Sequence, residues 1–126
     1  MFNLFNPYHT ATQKPANNSP SVQAVKFDAG KQDWSLLPVS SIEEVLKVLA
    51  YGKEKYGAWN WTNGDGMSYS RLFNATLRHV FAWWRGEDLD KESGLSHLAH
   101  AACNVLFLLY FMKNKATYNN NDDRSV

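Results

Sequence analysis

The chain has 126 residues, with thirteen Lys and Arg against twelve Asp and Glu and a formal net charge of +1. At about 100–200 residues per domain this allows a single domain, and the balanced charge excludes a strong electrostatic pull toward nucleic acid or an anionic membrane. Hydrophobic content of 44% and aromatic content of 14% exclude a wholly disordered chain, although the core is small enough that oligomerisation would help it.

Residues 1–24 hold three prolines among Asn, Ser and Thr, which predicts a flexible N-terminal arm. No basic start or continuous apolar stretch marks it as a signal peptide. With no membrane span expected, the setting reads as cytoplasmic; the longest apolar run, Val105 to Met112, is far short of the ~20 residues that cross a bilayer. Asp28, Gly30 and Lys31 suggest a turn, whose lysine could reach a phosphate or stand idle in solvent.

The first helix is expected from about Ser41 to Tyr56, because Ile42, Val45, Leu46, Leu49 and Ala50 keep the stripe of an amphipathic helix. Ser41 and Glu44 fit a capping box, and Gly57 supplies the stop. Residues 57–67 break every period with three glycines and two asparagines, yet carry Trp59 and Trp61. These either seal the core edge or stack on something flat.

A second helix is expected over about Ser68–Arg85, ended by Gly86. Arg71, Arg78 and Arg85 recur every seven residues, so their guanidiniums form a ribbon drifting only ~20° per step, with Asn74 on the same side. Guanidinium forks match phosphate oxygens in pairs; the plainer reading is a solvated face. The segment 86–94 contains Glu87, Asp88, Asp90 and Glu92. Carboxylates at this density could hold Mg²⁺ or Mn²⁺, or simply place negative charge at the following helix N-terminus. The spacing is not that of an EF-hand.

The third helix, about Leu95–Lys113, is apolar on nearly all sides and reads as the central element. His97, His100 and Asn104 interrupt it at offsets of three and four, which puts them on one side, with His79 available from the second helix. They could ligate a metal, bond a base or phosphate, or form a satisfied core network. Cys103 is alone, which excludes an intrachain disulfide and a Cys-based zinc site; it reads as a small core hydrophobe. From about Thr117 the chain is Asn- and Asp-rich and is expected to be a disordered tail over 116–126. The fold class is all-α: three main helices in a domain over 25–115, completed by dimerisation.

Five segments occur together: K-F-D-A-G-K (26–31), L-L-P (36–38), Y-G-K-E-K-Y-G-A-W-N-W (51–61), R-H-V-F-A-W-W-R-G-E-D-L-D-K-E-S-G (78–94) and H-L-A-H-A-A-C-N-V-L-F-L-L (97–109). In combination they resemble a family widespread in bacteriophage genomes, the N-terminal region of dATP/dGTP diphosphohydrolases related to MazG. The resemblance implies a helical, usually dimeric protein of the host cytoplasm that acts on purine deoxynucleotides. MazG-like enzymes cut a triphosphate between its α- and β-phosphates, and carboxylates on two helices hold the Mg²⁺ that activates water. Here Asn104 and Ala101 stand where such carboxylates are expected, and so do Arg78 and His79. Metal ligation then falls to Glu87, Asp90 and Glu92, and catalysis to Glu54, Glu87 and Glu92. Substrate and phosphate contacts fall to Lys31, Lys55, Asn60, Trp61, Arg71, Arg78, His79, His97, His100 and Asn104, with Trp61 as stacking platform. The guanidinium row and the imidazole–carboxamide row are expected to face each other across one cleft. Three functions stay open: a diphosphohydrolase giving (d)NMP and pyrophosphate, a nucleotide binder without turnover such as a sponge for a host defence signal, and a helical interaction protein with no small ligand.

Overall fold

A computed structural model describes residues 22–125. The N-terminal arm expected at 1–24 lies almost wholly outside these residues. The chain divides into two units, Met1–Asp33 and Trp34–Val126. In the described part of the first, Lys31 N donates to Asp28 O at 3.1 Å across the turn, and the Lys31 ammonium stands 3.5 Å from the Asp28 carboxylate.

The second unit is all-helical: a 3₁₀ turn at Trp34–Leu36, then α1 (Val39–Tyr56), a 3₁₀ turn at Asn60–Thr62, α2 (Tyr69–Trp84) and α3 (His97–Lys113). No strand occurs among the described residues, and no helix there is long and apolar enough to cross a membrane. α3 is the hub, packed against by both α1 and α2. On one side Val45 and Val48 of α1 bury against Ala99 and Cys103 of α3; on the other, Tyr69 and Leu72 of α2 bury against Phe111. Phe107 touches both clusters.

Helix termini correct the sequence reading in three places. α1 starts at Val39, two residues before Ser41, with Pro38 as its N-cap and no side-chain cap. A proline at a helix start forfeits only a donor that would be orphaned anyway. Ser41 therefore lies inside the first turn, no capping box forms, and Glu44 pairs with Lys47 at 2.7 Å. α3 starts at His97 rather than Leu95, capped by Ser96 Oγ, which accepts from Ala99 N. The two residues thus released belong to the 86–96 loop, which is pinned by Asp90 N to Leu95 O (2.8 Å) and His97 N to Asp88 O (3.0 Å).

The third correction is the C-terminal segment, expected to be a disordered tail. It folds back onto the start of α2. Tyr69 N donates to Asn121 O at 2.9 Å, Ser70 N donates to Asp123 Oδ1 at 2.8 Å, and the Ser70 hydroxyl also bonds Asp123. Asn121 is buried, and Tyr118 packs on Phe111 while its hydroxyl donates to Thr62 O. α2 has no acidic residue in its first turn and no cap from Ser68, so its orphan amides need acceptors from elsewhere. The Asn and Asp that read as solvated composition supply them. Beneath this corner Gly66, at φ 69°, passes so close to the core that a Cβ would come within 2.5 Å of the Phe111 ring.

Candidate functional site

A cavity of about 610 Å³ lies between the second half of α1, the 57–61 loop and α3. This falls in the range of small-molecule sites, which are mostly apolar with a few convergent polar groups. Val48, Leu49, Cys103 and Phe107 line its floor side, with Tyr51, Tyr56, Trp59, Trp61 and Tyr110 as aromatic walls. Asn60, His100, Asn104 and Lys53 bring polar groups. Burial pushes the Cys103 thiol up to about 11, so it is an inert lining atom rather than a nucleophile.

Two features of the chain open this space. Gly52, within α1, lines the cavity, and a Cβ there would meet nothing within 4 Å. The loop then turns through Trp59, the one non-glycine residue at positive φ (59°) among those described. For a bulky side chain that conformation is an outlier. Ring contacts hold it: Trp59 stacks on Trp61 at 5.5 Å and lies 5.9 Å from Tyr110. Trp61 is itself committed, stacked on Phe107 at 4.0 Å with Phe111 and Tyr110 edge-on. Trp59 is the more exposed plate, at 62%. The sequence reading chose Trp61 as platform; the signal for Trp59 was its place in the same glycine-broken loop.

Next to the cavity is a cluster of histidines drawn from α2 and α3. His79 and His97 meet through their Nδ1 atoms at 2.8 Å, and His79 lies parallel to His100 at 4.5 Å. Ser93 in the 86–96 loop bonds His100 Nε2 at 2.7 Å, while its amide and hydroxyl both donate to Asp90 Oδ2. Tyr51 of α1 meets His100 edge-on. His100 thus borders cavity and cluster together. Burial, then the neighbouring imidazoles and Arg78, lower the His79 pKa. Burial also lowers that of His100, against the pull of Asp90. For Asp90, burial pushes upward, but the Ser93 bonds and His100 prevail and hold it below the usual carboxylate range. His97 is only 5% exposed, yet its Nε2 has no hydrogen-bond partner. An unmet buried polar atom costs about 1–3 kcal/mol, so the core-network reading leaves a deficit here.

The sequence profile of the family described as dATP/dGTP diphosphohydrolase, N-terminal, matches residues 21–124. The chain belongs to this family. The match runs through the C-terminal segment that caps α2, as the structure requires. A dATP/dGTP diphosphohydrolase of Salmonella phage PMBT28 is 42% identical over 100 residues, which is 79% of this chain and 32% of the phage protein. The chain therefore spans about a third of the length of that curated relative. No solved structure matches it significantly.

Within this family member the expected site residues divide. Asn60, Trp61, His100 and Asn104 line the cavity, and His79 and His97 adjoin it through His100. Arg71, Arg78 and Arg85 are exposed along α2 and none lines the cavity. The cleft between a guanidinium row and an imidazole row does not form: the α3 imidazoles meet His79 of α2, and His100 also borders the cavity, while the guanidiniums lie on the exposed side of α2. Arg78 contributes positive potential to His79. Lys55 is exposed and paired with Glu92, which raises its pKa and lowers that of Glu92. Lys31 belongs to the first unit, and Glu54 is exposed on α1.

The carboxylates expected to cage Mg²⁺ or Mn²⁺ are likewise separated. Glu92 is engaged by Lys55 and by the Tyr51 hydroxyl at 3.3 Å, Glu87 lies 3.7 Å from His97 Nε2 and 4.0 Å from Lys91, and Asp90 is held by Ser93. Such a donor set does not fit a hard oxygen-ligated ion. Among the described residues, the groups that do converge are His79, Asp90 and His97. Sequence reasoning passed over Lys53, Tyr51, Tyr56 and Ser93; Tyr51 and Tyr56 were visible only as the end of a helix stripe.

Proposed function

We propose that this chain is the purine-nucleotide recognition part of a (d)NTP diphosphohydrolase that gives (d)NMP and pyrophosphate. Family membership and the name of the phage relative support the activity. The observation that carries the chain's own role is the cavity: aromatic walls, one exposed indole, and carboxamides from two elements. Trp59 stacks on the base. Asn60 and Asn104 hydrogen-bond its edge, since a carboxamide both donates and accepts. Lys53 and His100, also on the cavity wall, take the phosphate end.

Binding without turnover is the second reading, favoured by the separation of Glu87 and Glu92. Titration of the full chain with dATP, dGTP, dCTP and dTTP, followed by tryptophan fluorescence, tests recognition. Purines should bind more tightly than pyrimidines. Trp59→Ala should weaken dATP binding about tenfold, as base–aromatic stacking is worth about 1–3 kcal/mol. Equal affinity in wild type and Trp59→Ala rejects the stacking role. A pyrophosphate-release assay on the same panel separates the two readings: release supports hydrolysis, and intact nucleotide recovered after denaturation supports binding alone.

We also propose that the protein self-associates. Support comes from α3, whose Leu98, Ala102, Val105, Leu109 and Met112 are exposed.

A further inference from the structure

We propose that His79, Asp90 and His97 form a binding site for a divalent first-row transition metal, with the Glu87 carboxylate behind His97 as an outer support. The three side chains come from α2, the 86–96 loop and α3, and each offers a donor atom within 4.8 Å of the other two.

A second observation fixes which nitrogen of His97 would ligate. His97 is 95% buried by the complement of its 5% exposure, and its Nε2 finds no partner in the protein. The nearest acceptor, Glu87 Oε1 at 3.7 Å, is too far for a hydrogen bond. His97 Nδ1 meets His79 Nδ1 at 2.8 Å, so a shared ion belongs on the Nδ1 side, and Nε2–H then faces Glu87, the kind of outer carboxylate that ligating histidines have. The outer contacts have the form of a metal site's support. Ser93 donates to Asp90 with both amide and hydroxyl, and its hydroxyl also meets His100, whose ring lies parallel to His79. Hydrogen bonds of this kind fix ligand orientation.

The donor chemistry selects the ion. Imidazole nitrogen with carboxylate oxygen suits Zn²⁺, Co²⁺, Ni²⁺ or Fe²⁺, whereas Mg²⁺ and Mn²⁺ prefer oxygen ligands. The site is separate from the nucleotide reading, because it is measured by metal binding alone.

The test uses the full chain, stripped with chelator and titrated with Co²⁺ and then Zn²⁺. Wild type should bind a stoichiometric ion, develop a visible ligand-field spectrum with Co²⁺, lose it on adding Zn²⁺, and retain it in millimolar Mg²⁺. His79→Ala and Asp90→Ala should each weaken Co²⁺ binding by more than about a hundredfold, beyond the ~10–100-fold that loss of an outer-shell partner costs. Both positions are only partly buried, and circular dichroism will report whether the helices persist. Glu44→Gln, at an exposed position of α1 paired with Lys47, should match wild type. Failure of folded wild type to take up Co²⁺ or Zn²⁺, or unchanged affinity in folded His79→Ala, overturns the proposal.

Discussion

Gly52 sits where the inward stripe of α1, buried Val45 and Val48 with the partly buried Leu49, would continue with an apolar side chain. A glycine inside a helix costs about 1 kcal/mol relative to alanine. Here its missing side chain leaves room that the cavity occupies. Gly52→Ala should therefore raise stability by about 0.5–1 kcal/mol in denaturant unfolding. Gly52→Leu should leave the fold intact and fill the cavity, weakening dATP binding at least about tenfold. Wild-type affinity in Gly52→Leu would place the nucleotide elsewhere. Trp59 is the complementary case: an unfavourable backbone conformation is held by stacking on Trp61 and leaves an indole exposed at the rim. Such outliers concentrate at functional sites.

At the scale of elements, α2 depends on a segment more than fifty residues away in sequence for its N-terminal cap. The Ser70 hydroxyl and amide hold the Asp123 carboxyl below its ordinary value of 3.8. A carboxyl depressed by folding contributes stability that is present above pH 3.8 and disappears as pH falls through the depressed value. Protection of the Tyr69 and Ser70 amides from hydrogen exchange should decline over that acid range. Asp123→Ala should remove it at neutral pH, with exchange there severalfold faster while the α3 core stays protected. Persistent protection in Asp123→Ala would mean that the tail's other bonds suffice. The 86–96 loop makes the same point, since its ties to α3 place Asp90 and Ser93 against the histidines.

Over the whole molecule, α3 is asked to serve three neighbours. α1 and α2 cover two sides, and a third remains open, with Leu98, Val105, Leu109 and Met112 each more than 40% exposed. Their spacing of seven, four and three, with Ala102 between the first two, is that of a coiled-coil seam. Light scattering should report a species larger than 14.4 kDa, and Leu109→Glu should reduce it to the monomer with the helices intact. A wild-type monomer at tens of micromolar would remove self-association from the account.

Periodicity alone determined that three helices form and that α3 is the hub, because burial of an apolar stripe is a property of a local stretch of chain. The same stretch placed His97, His100 and Asn104 on one side of α3, and those rows are where the structure puts them. Which partner each row meets was not readable, since that depends on how helices distant in sequence pack. The arginine ribbon of α2 has an equally regular spacing, yet packing turned Leu72 and Ala82 inward and left the guanidiniums outside. The Asn- and Asp-rich tail was misread for a related reason: its composition buries little apolar surface, and its use lies in acceptors for amides that only the folded α2 presents. Tertiary structure likewise decided that Glu87, Asp90 and Glu92, neighbours in sequence, serve His97, Ser93 and Lys55 respectively. A tight loop sends successive side chains in different directions, so density of charge along a chain does not set its convergence in space.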